Sequence, residues 1–532
     1  MKNLLKYLSL IIITATLVAG IHYLWNYRQH YGDWNKAIDM AKIQIQYDIK
    51  SIEGKQIKDV QAPVLPNIDA YTIAAIKEKA PTLAPGYLLI QNLEEGYRKM
   101  RNRSAYFGEK QDRLDPLSIV ISSGVYDLET ITKEVADETL IQSKGNGVYA
   151  LYVPLSVRAE ATLLIGDNET LLMSVNTGGL LSSFGDVFIT NASIKGWNTE
   201  KNAPAEYNNP DDFRPHITIW CGGELYMAGS EIAHLGYQAS KSYGISYTSC
   251  NDTLYRHDYA HLSGGTGWII GNRFLDIYFG FYSYEAEDVV IIGNEYDENI
   301  VYAIDPHDRS KNLIIAHNTT RRAKQKHGII ISREVSDSFI FKNISEDNNG
   351  SGIMIDRSSE RNVIAYNISQ RNKQDGLTFY ESPHNLSYKN ILVNNGKSGM
   401  RIRNSWDITS YEDVINYNGL SAIQLYSLYL TPARGATYRD LDLDPYVQRA
   451  GASFIKTEMV GNKESNIKLE DFDAFTMINA RLYQSPPSMF AGDVKGIDDD
   501  YNELLLDAQK GINIVSKSSS NQNLTRNSVV PR

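Results

Sequence analysis

Short apolar runs in which every second residue is hydrophobic recur through the middle of the chain, each followed by a polar turn. Asn272, Asn294, Asn318, Asn343, Asn367 and Asn390 mark those turns at steps of 22, 24, 25, 24 and 23 residues. Gly280, Ala303, Gly328, Gly352, Gly376, Gly399 and Ala422 keep the same phase, opening the runs GFYSYE, AIDPHD, GIIISR, GIMIDR, GLTFYE, GMRIRN and AIQLYS. Self-similarity at such a period means stacked structural repeats. Leucine is not the recurring residue, and no helix-forming run separates the strands. Each unit reads as two or three short strands with turns, one coil of a β-helix. Asparagines at one recurring turn can stack and hydrogen-bond along the axis. The expected fold is all-β, a right-handed parallel β-helix with about 23 residues per coil.

Alternation assigns the faces of this solenoid. Counted from the Gly/Ala marker, positions +1 and +3 are apolar and point inward: Ile304, Ile329 and Ile331, Ile353 and Ile355, Leu377 and Phe379, Met400 and Ile402. Positions +2 and +4 point outward: Asp305 and His307, Ile330 and Ser332, Met354 and Asp356, Thr378 and Tyr380, Arg401 and Arg403. Position +5 adds Asp308, Arg333, Arg357 and Glu381. One exterior face thus carries acids, bases and a phenol on coils about 4.8 Å apart. A long groove lined this way suits a linear polymer.

The pattern changes towards both ends. SIVISSGVYDL, YALYVPLSV, ATLLIGD and DVFITNASIKGW read as earlier, less regular coils. Residues 32–115 lack the period, and helical segments are expected over Asp33–Ile49 and Ile73–Arg101. Asp500–Lys510 (DYNELLLDAQK) reads as an amphipathic helix that covers the exposed end of the solenoid. The tail from Ser516 is polar. Lys2 and Lys6 followed by the apolar run Leu8–Leu24 form a targeting segment, either a cleaved signal peptide or a membrane anchor, and both place the rest of the chain outside the cytoplasm. The expected organisation is 1–31 targeting segment, 32–115 partly helical region, 116–430 β-helix and 431–532 capping region and tail.

Composition narrows the ligand. A net charge of −10 argues against nonspecific binding of nucleic acid. Yet Val301–Ser410 holds 16 Lys/Arg against 11 Asp/Glu, a local excess that favours an anionic ligand on an acidic protein. The 35 tyrosines suit turn-rich β structure with aromatic surface. Two cysteines, Cys221 and Cys250, are no disulfide framework; they either pair or stand as separate buried thiols. His257 and His261 have the spacing of helical zinc ligands but lie in β or loop context without His-Glu-x-x-His, and we assign them no metal.

The odd coil is AIDPHD. Proline inside a strand removes a ladder donor, so Pro306 signals a local distortion that aims a neighbouring side chain. An isolated exposed histidine ordinarily does nothing. His307 is singled out by the flanking carboxylates Asp305 and Asp308, which can orient its imidazole, and by Arg333 on the next coil. Arg357, Arg401 and Arg403 continue the series, and guanidinium matches planar carboxylates, though some of these arginines must pair with Asp356 or Glu381. Lys326 and His327 precede a strand, where a solvated turn competes with reach into the groove.

From YGISYTS at Tyr243–Ser249 through GFYSYEAEDVVIIGN, NIVYAIDPHDRSKNLIIAHN and KHGIIISREVSDSFIFKN to the coil of Arg403, the chain closely resembles periplasmic mannuronan C-5 epimerases. The Asp-Pro-His-Asp motif is the most specific part of the match. Weaker similarity runs from about Leu117 to the expected C-terminal helix, whereas Cys221, Cys250 and the HDYAH insertion depart from the pattern. The resemblance implies that His307 removes the C5 proton of a uronate in polymannuronate and that Arg333 neutralises its carboxylate. Asp305, Asp308, Lys326, Arg357, Tyr380, Arg401 and Arg403 are the expected substrate-binding set. Return of a proton from the opposite ring face falls to water first, or to Tyr380 or Tyr282. The scheme requires no metal and no organic cofactor. The resemblance further implies a periplasmic location and other proteins of an alginate export complex as partners. A polyuronate lyase shares the first step, a glycosidase leaves His307 without a role, and a polymer-binding scaffold remains the non-enzymatic alternative.

Overall fold

The computed structural model describes residues 42–43, 46–53, 60–93, 110–112, 115–249, 264–431, 445–483, 488–497 and 510–517. The targeting segment, the HDYAH histidines and nearly all of the expected 500–510 helix lie outside these residues.

Each coil contributes one strand to each of three parallel sheets. Tyr302–His307, Ile314–Ala316 and Thr319–Arg321 make one coil. Ile329–Ser332, Phe339–Phe341 and Ile344–Glu346 make the next. In the first sheet the register runs Tyr284, His307, Ser332, Asp356, Tyr380, Arg403 and Tyr426 along one row. The inward positions expected from alternation are fully buried, Ile304, Ile331, Ile355, Phe379 and Ile402 among them. Burial of branched and aromatic side chains on every coil is what makes the stack cohere.

Polar turns are held by side-chain ladders. Asn272, Asn294, Asn318, Asn343 and Asn367 each donate Nδ2–H to the Oδ1 of the Asn one coil on, at 2.9–3.0 Å. Each of those acceptors also takes the backbone N–H of the preceding Asn. The row ends on buried Asp413, which accepts from Asn390. A second row that the period did not reveal joins Asn348, Asn372, Asn395, Asn418 and Asn462 at 2.9–3.1 Å. Buried amides satisfied in this way fix the turn without leaving unpaired donors.

The ends differ from expectation. The coils continue beyond residue 430: Gly451–Ile455, Ser465–Glu470, Ala474–Ile478 and Ser488–Gly492 pair in parallel with the preceding strands. Lys510–Ser516 then pairs antiparallel with Ala474–Ile478 and with Tyr47–Glu53, so among the described residues the second sheet closes at this end on strands. At the other end the helix Leu128–Val135 buries Leu128, Ile131 and Val135 in the common core, its first turn capped by Asp127, which accepts from the Thr130 N–H at 2.7 Å.

The expected helix over 73–101 is short. Among its described residues only Ile73–Lys79 is helical, and Ala84–Asn92 is a strand antiparallel to Leu117–Asp127. Tertiary pairing overrides helix propensity here, and Gly86 permits it: a Cβ at that position would sit 1.8 Å from the Ser123 carbonyl oxygen. Upstream, Val60, Leu65, Ile68 and Tyr71 lie along the outer face of the second sheet against Ile292, Phe341 and Ile455, and Ile76 of the short helix packs on Phe188, Tyr226 and Ile270. Residues 60–80 thus form a strap over the second sheet.

Cys221 is disulfide-bonded, so it is not a separate thiol; Cys250, the chain's other cysteine, lies outside the described residues.

Candidate active site

The site sits where the first sheet is interrupted. Tyr302–His307 pairs fully with the preceding strand over Phe281–Tyr284, but towards the following strand only Ile304 and His307 find partners, Ile329 and Ser332. Pro306 has no N–H to give, and the ladder skips Asp305 and Pro306 while keeping its register. Asp308 and Arg333, one residue past the strand ends, take left-handed backbone (φ 42° and 64°), which turns the chain and points both side chains over the strand edge.

Asp308 organises the centre. Its Oδ2 lies 2.5 Å from His307 Nδ1, its Oδ1 accepts from Arg333 Nη1 at 3.0 Å, and the Tyr282 hydroxyl donates to Oδ2 at 3.5 Å. Burial alone raises a carboxyl, but the hydrogen bonds and charges of His307 and Arg333 overcome it and hold Asp308 well below the usual carboxylate range. A carboxylate on Nδ1 fixes that nitrogen as the protonated one, which leaves Nε2 as the proton acceptor. The His307 side chain remains 20% exposed, enough to meet a substrate. Tyr282, whose ring centre is 5.7 Å from that of His307, is raised far above its ordinary value by burial and keeps its proton.

Asp305 lies beside this group on the outward row. It is buried, and its Oδ1 has no hydrogen-bond partner. Burial pushes its carboxyl up to about 7, with Asp308 and Asp356 adding to the rise and His307 and Lys326 opposing it. Ile330, Met354 and Thr378 on the same row are also buried, so this face is the floor of a recess rather than an open surface.

The remaining expected residues separate into two sets. Tyr380, Arg401 and Lys326 surround a cavity of about 290 Å³ on the downstream coils. Along the row, Tyr380 stands three coils from His307, about 14 Å at about 4.8 Å per step. Arg403 instead grips Glu381 through Nε and Nη2 at 2.8 and 3.0 Å and lies 3.7 Å from the Tyr380 ring centre, so it positions Tyr380. Arg357 sits between the sets, its Nε 3.6 Å from Asp356.

An aromatic wall was not anticipated. Tyr243, Tyr278, Phe279 and Tyr302 stack or meet edge-on at 4.7–6.2 Å beside the upstream coils, and Tyr302 continues onto His327 at 5.7 Å with nearly parallel rings. The density of aromatics in IYFGFYSY was its only trace in the sequence.

Sheet order, stacked turns and an outward polar recess define a right-handed β-helix protein, and a family model described as "Right handed beta helix region" matches residues 258–427. Over 475 residues the chain is 35% identical to mannuronan C5-epimerase AlgG of Azotobacter vinelandii, spanning 88% of this chain and 89% of that one, and it belongs to the mannuronan C5-epimerase family. It is 39% identical over 341 residues to the mannuronan C5-epimerase of Pseudomonas syringae pv. tomato; that match spans 62% of each protein. A crystal structure of the periplasmic alginate epimerase AlgG superposes with a TM-score of 0.72 at 35% identity, covering 82% of this chain and 100% of that one.

Proposed function

We propose that this protein is a mannuronan C-5 epimerase that converts β-D-mannuronate to α-L-guluronate within polymannuronate, in the periplasm. The observation that carries the reading is the His307–Asp308–Arg333 group, one imidazole and one guanidinium held on a single carboxylate. Kinship with named epimerases over most of the chain supports the substrate, and the periplasmic neighbour supports the compartment. Export-complex partners rest on family resemblance alone.

The C5 hydrogen of a uronate lies α to a carboxylate, and its removal builds a second negative charge on that group. His307 Nε2 takes the proton while Asp308 steadies the imidazolium that forms. Arg333 offsets the charge accumulating on the carboxylate, where a preorganised cation is worth most. The proton returns from the opposite face, delivered by water. Tyr282 is held against Asp308 on the His307 side, and Tyr380 stands three coils away, nearer a neighbouring sugar than the reacting carbon.

Proton NMR of polymannuronate incubated with the purified protein tests the proposal. Guluronate signals without new chain ends are expected; unsaturated non-reducing ends without guluronate make the protein a lyase instead.

A further inference from the structure

Asp308 holds both His307 and Arg333, so the direction of one carboxylate sets the geometry of the whole group. Its backbone is left-handed (φ 42°), and so is that of Arg309 after it (φ 61°). L-residues rarely adopt that conformation, and two in succession persist only where the surroundings over-determine them. Between coils, the Asp308 N–H donates to the Ser332 carbonyl at 3.2 Å, the Arg309 N–H to the Arg333 carbonyl at 2.9 Å, and the Glu285 N–H to the Asp308 carbonyl at 2.8 Å. Within the turn, the Ser310 hydroxyl donates back to the His307 carbonyl at 2.8 Å.

The Arg309 side chain adds a clamp to this turn. It reaches onto the coil upstream, where Tyr284 stands in the register position of His307 and Glu285 follows it. The guanidinium donates to Glu285 Oε1 through Nε at 2.9 Å and Nη2 at 2.6 Å, and to the Tyr284 hydroxyl through Nη2 at 3.1 Å. Glu285 is fixed in turn by Ser249, whose hydroxyl donates to Oε2 at 2.5 Å. Charge-assisted bonds of this kind are the strong ones, and the planar fork makes them directional. Residues 333–334 and 357–358 repeat the two-residue left-handed turn on the next two coils. There Glu334 and Ser358 stand in the place of Arg309, and neither offers a guanidinium.

We propose that Arg309 and Glu285 are positioning residues for the reaction: their ion pair locks the left-handed turn and so aims the Asp308 carboxylate at both His307 Nδ1 and Arg333. The claim about rate rests on the epimerase reading; the claim about geometry does not. Without the clamp the turn can relax and swing the carboxylate away, so that His307 loses its fixed tautomer and Arg333 its anchor together. The pair acts through Asp308 rather than on the sugar, so its loss appears in kcat.

Arg309→Gln tests this in the full-length protein by removing the charge and the fork while keeping a polar side chain. With rates taken per folded molecule, kcat on polymannuronate should fall between about tenfold and a hundredfold while KM stays within about twofold. Arg309→Lys, which keeps a charged hydrogen bond to Glu285, should recover part of the lost kcat. Glu285→Gln should behave like Arg309→Gln, and the two together should cost no more than either alone. Proton NMR of the protein with isotope-labelled histidine reads the positioning itself. A far-downfield imidazole proton, absent from His307→Ala, is expected for Nδ1–H held on Asp308; it should shift or broaden in Arg309→Gln and return in Arg309→Lys. A wild-type spectrum without that proton, a signal unchanged in Arg309→Gln, or an unchanged kcat overturns the proposal. Failure of the wild type to form guluronate overturns the epimerase reading instead, and the imidazole signal still decides whether the clamp aims Asp308.

Discussion

Replacing Asp305 with Asn removes an ionisable group from a position where its charged form is costly. The carboxyl is buried, one oxygen lacks a partner, and burial drives it up to about 7, reinforced by Asp308 and Asp356 and opposed by His307 and Lys326. An Asp in the unfolded chain titrates at about 3.9. The folded protein therefore holds this proton more tightly than the unfolded one. Its contribution to stability is fully present below about pH 4 and is lost as pH rises to about 7. At about 1.4 kcal/mol per unit the full loss is about 4 kcal/mol, of which roughly 2.3 kcal/mol falls between pH 5 and pH 7 and roughly 2.6 kcal/mol between pH 5 and pH 8. Asn has the same shape and no such titration. The stability of Asp305→Asn relative to wild type should therefore improve by roughly 2.6 kcal/mol from pH 5 to pH 8. Paired thermal-unfolding series across that range, at one scan rate, read this as a widening gap between the two midpoints. A gap that stays flat refutes the reasoning, because it means the Asp305 carboxylate is solvated or paired after all.

Three further outcomes follow from the geometry. Asp308→Asn removes the charge that both orients His307 and anchors Arg333, and turnover should fall at least ~100-fold in the NMR assay with substrate binding retained. Arg333→Lys keeps the charge but loses the planar fork, and kcat/KM should drop between about tenfold and a hundredfold; full activity would show that Arg333 acts only as a point charge. Asn343→Ala breaks a ladder rung that donates to Ile315 and Asn367 and accepts from Asn318, costing about 3 kcal/mol in unfolding experiments while kcat per folded molecule stays the same.

Much of this architecture was legible in the sequence because a solenoid writes its geometry locally. Strand faces follow from alternation, so Ile331, Ile355 and Phe379 could be placed inward, and coil phase brought His307 and Arg333 together without knowledge of any distant contact. The ends were not legible. Ala84–Asn92 reads as helical because nothing local announces Leu117–Asp127 as its partner, and Lys510–Ser516 reaches Tyr47–Glu53 across almost the whole chain. The step of 44 residues from Asn418 to Asn462, which are bonded as neighbouring rungs, hid the later coils by breaking the period. In the site, spacing named the charged residues but not their use. Arg403 and Arg401 share a strand and point the same way, yet one is gripped by Glu381 and the other faces the cavity. That difference depends on which neighbouring coil supplies an acid, which alternation does not encode. The aromatic wall was missed for the converse reason, since tyrosines in strands are common and carry no phase of their own.

The account depends most on His307 as the base. Wild type and His307→Ala, matched for thermal midpoint, should be incubated with polymannuronate in deuterium oxide and the product read for deuterium at C5. The account predicts guluronate carrying deuterium at C5 with the wild type and neither guluronate nor exchange with the variant. Guluronate formed by His307→Ala at an undiminished rate would contradict it and move the base elsewhere in the recess.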